Sequence, residues 1–332
     1  MENITIKDIA KRLGISTATV SRVLNNSGYA SKEMREKVLK EAELMNYKPN
    51  SIAQSLKMNR TNKIGLLIPD ISNPYFMSIA KGIEDELVDS QYLMVFASGN
   101  ESKEKELKAL EEFSRQRVDC IVLASSGIDA RKINDTLQGT IPLILVDRRI
   151  NGLKNCDIIV EDNAKGAYEL VSRVIQLGHT KIGVVAGSLK VSTGLERYEG
   201  FLKAMQDHKL RFEEQSIFYG DFTMESGYEA AEFFMSKERE EQPTAIVSFN
   251  NTMSSGVLNY LLKHALFKEN KLLLASYGIL DYQVVFETDE IISVIQQPYD
   301  IGLITGQTIK NRLNRPGSEY RVLCLEPSFS FE

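Results

Sequence analysis

From Lys63 onward, short apolar runs alternate with amphipathic stretches: KIGLLIPD, YLMVFAS, DCIVLAS, PLILVD, DIIVED, KIGVVAG, SIFYGD, TAIVSFN, KLLLASYG and IISVIQQP. A strand that is apolar on both faces must be covered on both faces. A helix after each strand does this and returns the chain to begin a parallel neighbour by a right-handed crossover. KIGLLIPD at Lys63 and KIGVVAG at Lys181 open alike, 118 residues apart (181 − 63). The repeat implies two equivalent lobes, each a doubly wound parallel sheet. At 332 residues the chain is longer than one core needs, so two or three folding units are expected.

The first 60 residues differ in charge from the rest. They carry 11 Lys and Arg against 6 Asp and Glu, a net of +5, whereas the remainder carries 29 against 39, a net of −10. A basic head on an acidic body suits a nucleic-acid-binding module attached to another domain. Three short helices are legible in that head. Ile6, Ile9, Ala10 and Leu13 share one face, with Thr5 and Asp8 at capping-box spacing and Gly14 as the stop. Ser16 caps a second helix with Val20, Val23 and Leu24 inward. Ser31 caps a third, with Met34, Val38, Ala42 and Met45 inward. Three helices joined by a tight glycine turn are a helix-turn-helix arrangement.

The second helix, within GISTATVSRVLN, is slender enough to enter a major groove with Thr17, Ala18 and Arg22 at the base edges. An arginine meets guanine through two parallel hydrogen bonds, and a methyl packs on thymine. Ser16, Thr19 and Ser21 suit phosphate contacts, which set register without reading sequence. NYKPNSIAQSLKMNRTNK follows. Pro49 ends the third helix and Asn50 can cap one further helix, too short to be stable alone. It reads as a linker, or as a helix that folds on DNA with Leu56 as a minor-groove wedge.

TIKDIAKRLGISTATVSRVLN followed by NYKPNSIAQSL resembles the lactose-repressor/galactose-repressor (LacI/GalR) family of bacterial transcription regulators. IPDISNPYF, GHTKIGVVAG, RYEGF, PTAIVSFNN and VIQQPYDIG extend the likeness through the body. The resemblance implies base reading by Thr17, Ala18 and Arg22 and intercalation by Leu56, with Thr5, Asn25, Tyr47, Asn50 and Ala53 among the DNA contacts. Gln54 departs from the arginine usual in the family's hinge. The implied architecture is a small all-α helix-turn-helix head (residues 1–48), a hinge helix and linker (49–61) and an α/β body (62–332). The body has two doubly wound parallel-sheet lobes like a periplasmic sugar-binding protein. The chain is expected to cross between lobes near residues 161, 291 and 323. Lobe 1 then comprises 62–161 and 292–323, and lobe 2 comprises 162–291 and 324–332.

A small effector is expected in the cleft between lobes, where strand ends and the turns after them form the walls. One lobe offers Asn73, Tyr75, Phe76, Asp147 and Arg148. The other offers Thr193, Arg197, Phe222 and Asn250, with Gln297 at a crossover. Two departures bear on the ligand. The family's NDxmAlG motif reads NNTMSSG, with Asn251 for aspartate, and its GyDd motif reads SYGIL, with Gly278 for an aspartate that grips sugar hydroxyls. Losing that carboxylate while keeping Arg148 and Arg197 predicts an anionic effector, a sugar phosphate.

Other classes are weakly served. The chain has no GxGxxG after a strand, no GxxxxGK[ST] and no HExxH, and its three histidines lie apart, so an enzyme is not expected. No Cys/His cluster has metal spacing, and neither metal nor cofactor is expected. Three scattered cysteines, no signal core and no long apolar run predict a cytoplasmic protein. No heptad pattern follows the last strand, so the expected partners are a pseudo-palindromic operator, a small effector and one further copy in a homodimer. An alternative trigger is a phosphorylated carrier protein, since IPDISN, AKGIED and QQPYDIG resemble the catabolite-control branch. That branch uses basic residues on the helix after YDIG, where this chain has Gln307 and Asn311.

Overall fold

The computed structural model describes residues 4–25, 28–47, 60–266, 272–280 and 290–331. The chain divides into two units, 1–61 and 62–332. In the first, the local signals act as spaced. The amide and hydroxyl of Thr5 both donate to Asp8 Oδ2, at 2.8 and 2.6 Å, and so start α1 (Ile6–Leu13). Gly14 ends it in the left-handed region, φ 65°, which an L side chain resists. Ser16 Oγ accepts from Thr19 N (3.1 Å) to start α2 (Thr17–Leu24), and Ser31 Oγ accepts from Met34 N (3.2 Å) to start α3 (Lys32–Leu44). Ile9, Ala10, Val20, Val23, Val38 and Ala42 form the small core between the three.

The second unit holds two sheets. The first contains β1 (Lys63–Ile68), β2 (Leu93–Ser98), β3 (Cys120–Leu123), β4 (Leu143–Val146), β5 (Asp157–Glu161) and β11 (Val322–Leu325), in the order β11-β5-β4-β3-β1-β2. All its neighbours are parallel. It is flanked by α4 (Pro74–Leu87), α5 (Lys103–Arg115), α6 (Ala130–Leu137) and α11 (Pro298–Asn314). The second contains β6 (Ile182–Ala186), β7 (Ile217–Tyr219), β8 (Ala245–Ser248), β9 (Leu273–Tyr277), β10 (Ile291–Ile295) and β12 (Ser328–Phe329), in the order β12-β10-β9-β8-β6-β7. Its helices are α7 (Asn163–Gln176), α8 (Ser192–Asp207), α9 (Met224–Met235) and α10 (Asn251–Lys263).

The five strands from β1 and the five from β6 take the same spatial order, which is the equivalence the repeated KIG openings imply. In each, the order reverses beside the first strand, and a ligand crevice forms at the carboxyl ends there. The chain passes between the sheets three times. Two of the passages lie a few residues later than the sequence suggests. Residues 291–295 stay in the second sheet because Ile291 to Val294 pair with Leu274 to Tyr277 of β9. The chain leaves only at Gln296 and Gln297, where Pro298 opens α11. Likewise β11 pairs with β5 through Leu325, so the last passage follows that residue. The two lobe segments placed at 292–323 and 324–332 shift accordingly.

The returning helix α11 is anchored by a buried ion pair. Arg312 Nη2 donates to Asp157 Oδ1 and Oδ2 at 2.9 and 2.7 Å and Nε to Oδ2 at 3.0 Å, while Nη1 donates to the Ser318 carbonyl at 2.5 Å. The two side chains are 7% and 3% exposed, so their charges balance each other rather than meet solvent.

Candidate functional site

In the first unit, α2 turns Val20 and Val23 into the core and leaves Thr17, Ala18 and Arg22 exposed. The hydroxyls are partly engaged: Ser16 Oγ and Thr19 Oγ1 lie 2.9 Å apart, and Asn25 Nδ2 donates to Ser21 Oγ at 3.1 Å. Tyr47 packs against the core, where burial raises its hydroxyl pKa. Its ring is therefore in part structural, which the sequence reading did not foresee. Tyr29, between α2 and α3, is 89% exposed and had no role in the sequence reading. Its only signal was an aromatic within the polar stretch NNSGYAS. Asn50, Ala53, Gln54 and Leu56 lie outside the described residues.

Between the two sheets lies a cavity of about 560 Å³ lined by Asn73, Tyr75, Phe76, Asp147, Arg148, Thr193, Arg197, Phe222 and Asn250, as the strand ends predict. Gln297 is not on its wall. Its amide donates to Glu161 Oε1 (2.6 Å) and its side chain to the Glu326 carbonyl (2.7 Å), so it braces the crossover. Gln296, one residue earlier, lines the cavity and donates to Glu161 Oε2 (2.8 Å). Burial raises the Glu161 pKa, opposed by the hydrogen bonds from Gln297 and Gln296.

Each charged wall residue has a fixed place. Asp147, in left-handed backbone (φ 64°), accepts from Tyr75 Oη at 2.9 Å. Burial raises its pKa, and the Arg148 and Arg197 charges pull it back down. Arg197 Nε donates to Asn163 Oδ1 (2.8 Å) and Nη1 to the Phe249 carbonyl (2.7 Å), with its guanidinium 3.8 Å from the Tyr277 ring centroid. Arg148 is not the open cation the sequence suggests. Nη1 and Nη2 each donate to one oxygen of Glu101, at 2.7 and 2.6 Å, and Nη1 also reaches the Ser125 carbonyl at 2.9 Å.

Direct contacts join the cleft walls. Asn251 Nδ2 donates to Asn73 Oδ1 (3.1 Å), and Asn73 Nδ2 reaches Thr252 Oγ1 (3.2 Å). Across from them, Arg149 N donates to Ser192 Oγ at 2.8 Å. Asn73 also caps α4 by accepting from Tyr75 N at 3.0 Å, so its capping and cleft roles coexist. Among the described residues no group of acidic, histidine or cysteine side chains could hold a metal ion, and no helix is long and apolar enough to cross a membrane.

Residues 5–50 match the model of bacterial regulatory proteins of the lacI family, and residues 61–293 match that of periplasmic binding proteins and the sugar-binding domain of the LacI family. The PurR repressor of Haemophilus influenzae is 34% identical over 79% of this chain and 77% of its own. The ribose operon repressor of Haemophilus influenzae is 30% identical over 98% of this chain and 96% of its own. The solved lac repressor dimer bound to operator and the anti-inducer ONPF superposes with a TM-score of 0.83 at 20% identity, over 99% of this chain and 98% of that one. The chain belongs to the LacI family. It is a DNA-binding transcriptional repressor of metabolic genes.

Within that family the two cleft departures have a local cause. An asparagine at 251 both donates and accepts, whereas an aspartate would leave Asn73 Oδ1 without the donor it has across the cleft. Gly278 sits at φ 102°, and a Cβ there would lie 2.9 Å from Gln296 Oε1 and 3.1 Å from Asn251 Cβ. A side chain at 278 would therefore be strained in its backbone and crowded against Gln296 and Asn251. On α11, Gln307 Nε2 donates to Asn311 Oδ1 (3.4 Å), and nearby Lys310 is paired with Glu86 at 2.6 Å.

Proposed function

We propose that this LacI-family repressor binds a pseudo-palindromic operator as a homodimer and is switched by a monosaccharide-sized, hydroxyl-rich effector in the interlobe cleft. The single observation that carries the reading is the cavity itself. It brings an acceptor, Asp147, and a donor, Arg197, together with the aromatic walls Phe76 and Phe222 at the carboxyl ends of two doubly wound sheets. Apolar walls with a few placed polar groups are the ordinary make-up of a small-ligand site. The ribose operon repressor among the relatives supports a sugar of this size and a role in carbohydrate metabolism. A ligand touching both walls shifts the lobes toward closure by its differential affinity for the closed form, and so can alter how two heads engage one operator.

Thr17, Ala18 and Arg22 carry base reading in this proposal, with Thr5, Ser16, Thr19, Ser21 and Asn25 on the backbone and Asn50, Ala53 and Leu56 completing the contacts. The second copy fits the first-sheet edge, where Leu93 and Phe96 of β2 and Val88 at the end of α4 are exposed. Control by a phosphorylated carrier protein is less well supported, because Gln307 and Asn311 present no cation to a phosphate. The experiment is operator selection from a random duplex library. Arg22→Ala is expected to keep non-specific binding and lose about 1–3 kcal/mol of discrimination at one base pair of each half-site. An unchanged selected site would remove Arg22 from base reading.

A further inference from the structure

We infer that Glu101 sets the charge selectivity of the cleft, making it a site for neutral, hydroxyl-rich ligands and turning away phosphorylated or carboxylated ones. The inference rests on the reading of the cleft as an effector site and specifies its ligand class. Two arginines on the wall would ordinarily mark an anion site. Here the Glu101 carboxylate bonds both terminal nitrogens of Arg148, at 2.6 and 2.7 Å, in the bidentate geometry that suits guanidinium best. Nη1 also reaches the Ser125 carbonyl, and the guanidinium carbon is 5.2 Å from the Phe222 ring centroid. Nε makes no hydrogen bond but is buried 3.5 Å from Asp147 Oδ2, whose charge an incoming anion would meet there.

An incoming phosphate would therefore have to displace Glu101 from a residue that is only 4% exposed. It would also meet the other carboxylates that line the cavity, Asp70 and Asp147 from one lobe and Glu225 from the other. Arg197 does not reverse this balance, because Asp147, Glu161 and Glu196 all lie within its electrostatic reach. A hydroxyl-rich neutral ligand faces no such competition, since it can donate to Asp147 and accept from Arg197 without disturbing the Glu101 pair. The turn that delivers Glu101 is itself unusual: Asn100 and Glu101 both take left-handed backbone, with φ of 47° and 52°. Such geometry in a glutamate persists where a strong contact holds it, and the bidentate pair is that contact.

The test uses the full-length chain and matched pairs: ribose and ribose 5-phosphate, glucose and glucose 6-phosphate, fructose and fructose 6-phosphate, together with inorganic phosphate. Calorimetry should show at least one neutral sugar binding about tenfold or more tighter than its phosphate, with no response to inorganic phosphate. Glu101→Gln should narrow or reverse that ratio and give a measurable response to inorganic phosphate. Glu101→Asp, which keeps the charge, should retain the neutral preference and so separates charge from damage to the turn. A wild-type chain that prefers the phosphates overturns the inference whether or not Glu101→Gln folds. So does a folded Glu101→Gln variant with an unchanged ratio. If no member of any pair binds the wild type, the reading of the cleft as a monosaccharide site fails first, and the inference falls with it.

Discussion

Gly278→Asp is expected to destabilise the second lobe by about 2–5 kcal/mol and to leave sugar binding unimproved. The change would install the carboxylate that the family resemblance implies at this position, so a loss rather than a gain is the informative outcome. A φ of 102° is a region in which glycine alone is at ease, and a Cβ there would press on Gln296 Oε1 at 2.9 Å. Gln296 cannot simply retreat, because its amide holds the buried Glu161 carboxylate at 2.8 Å. Asn251, on the other side, is committed to Asn73 across the cleft. Urea unfolding of the variant should show a lower midpoint. A wild-type midpoint with tighter sugar binding would mean that the glycine is a lost ligand contact, not a steric consequence of the Asn251 pair.

A loss of about 3–5 kcal/mol is expected for Arg312→Met, the larger of the two effects. Asp157 is 2% exposed and, once its bonds from Arg312 are lost, would still accept from the Arg321 amide at 3.0 Å. The deficit comes from a buried carboxylate left without its cation, so replacing both residues should recover most of it. The double variant Asp157→Leu/Arg312→Met is expected to unfold at a higher urea concentration than the single one. Equal midpoints for the two would show that Arg312 acts through packing on Tyr320, 4.2 Å away, and not through charge.

These two changes also mark where sequence reading reaches and where it stops. Ten strands were legible because each is a run of mostly apolar residues, even β2, whose residues are only half-buried or exposed. β11 and β12 were missed: β11 is a sheet-edge strand with Val322 and Leu323 substantially exposed, and β12 is only two residues, Ser328–Phe329. The cleft walls were legible because strand ends in a doubly wound sheet must face the crevice. A register of one residue decided between Gln296 and Gln297, and strand pairing at β10 sets that register, not composition. Glu101 could not be read as the partner of Arg148, since the two are 47 residues apart and follow β2 and β4, strands that β1 and β3 separate in the sheet. That one contact is what the proposal of a neutral ligand sets against the anionic one expected from the sequence.

The head shows the same division. Thr5, Asp8, Gly14, Ser16 and Ser31 are local signals and act locally, as their spacing requires. Tyr47 is different: its packing on the core depends on where α3 ends relative to α1 and α2.

The central claim, operator binding governed by the cleft, is tested most directly by fluorescence anisotropy of the full-length chain on its selected operator and on a scrambled duplex. The titrations are run at one fixed salt concentration with and without the neutral sugar identified by calorimetry. The operator should bind about 10³-fold or more tightly than the scrambled duplex, and saturating sugar should shift operator affinity by about 5-fold or more while leaving the scrambled duplex unaffected. Equal affinity for the two duplexes, or operator affinity unmoved by a sugar that calorimetry shows to be bound, would contradict the account.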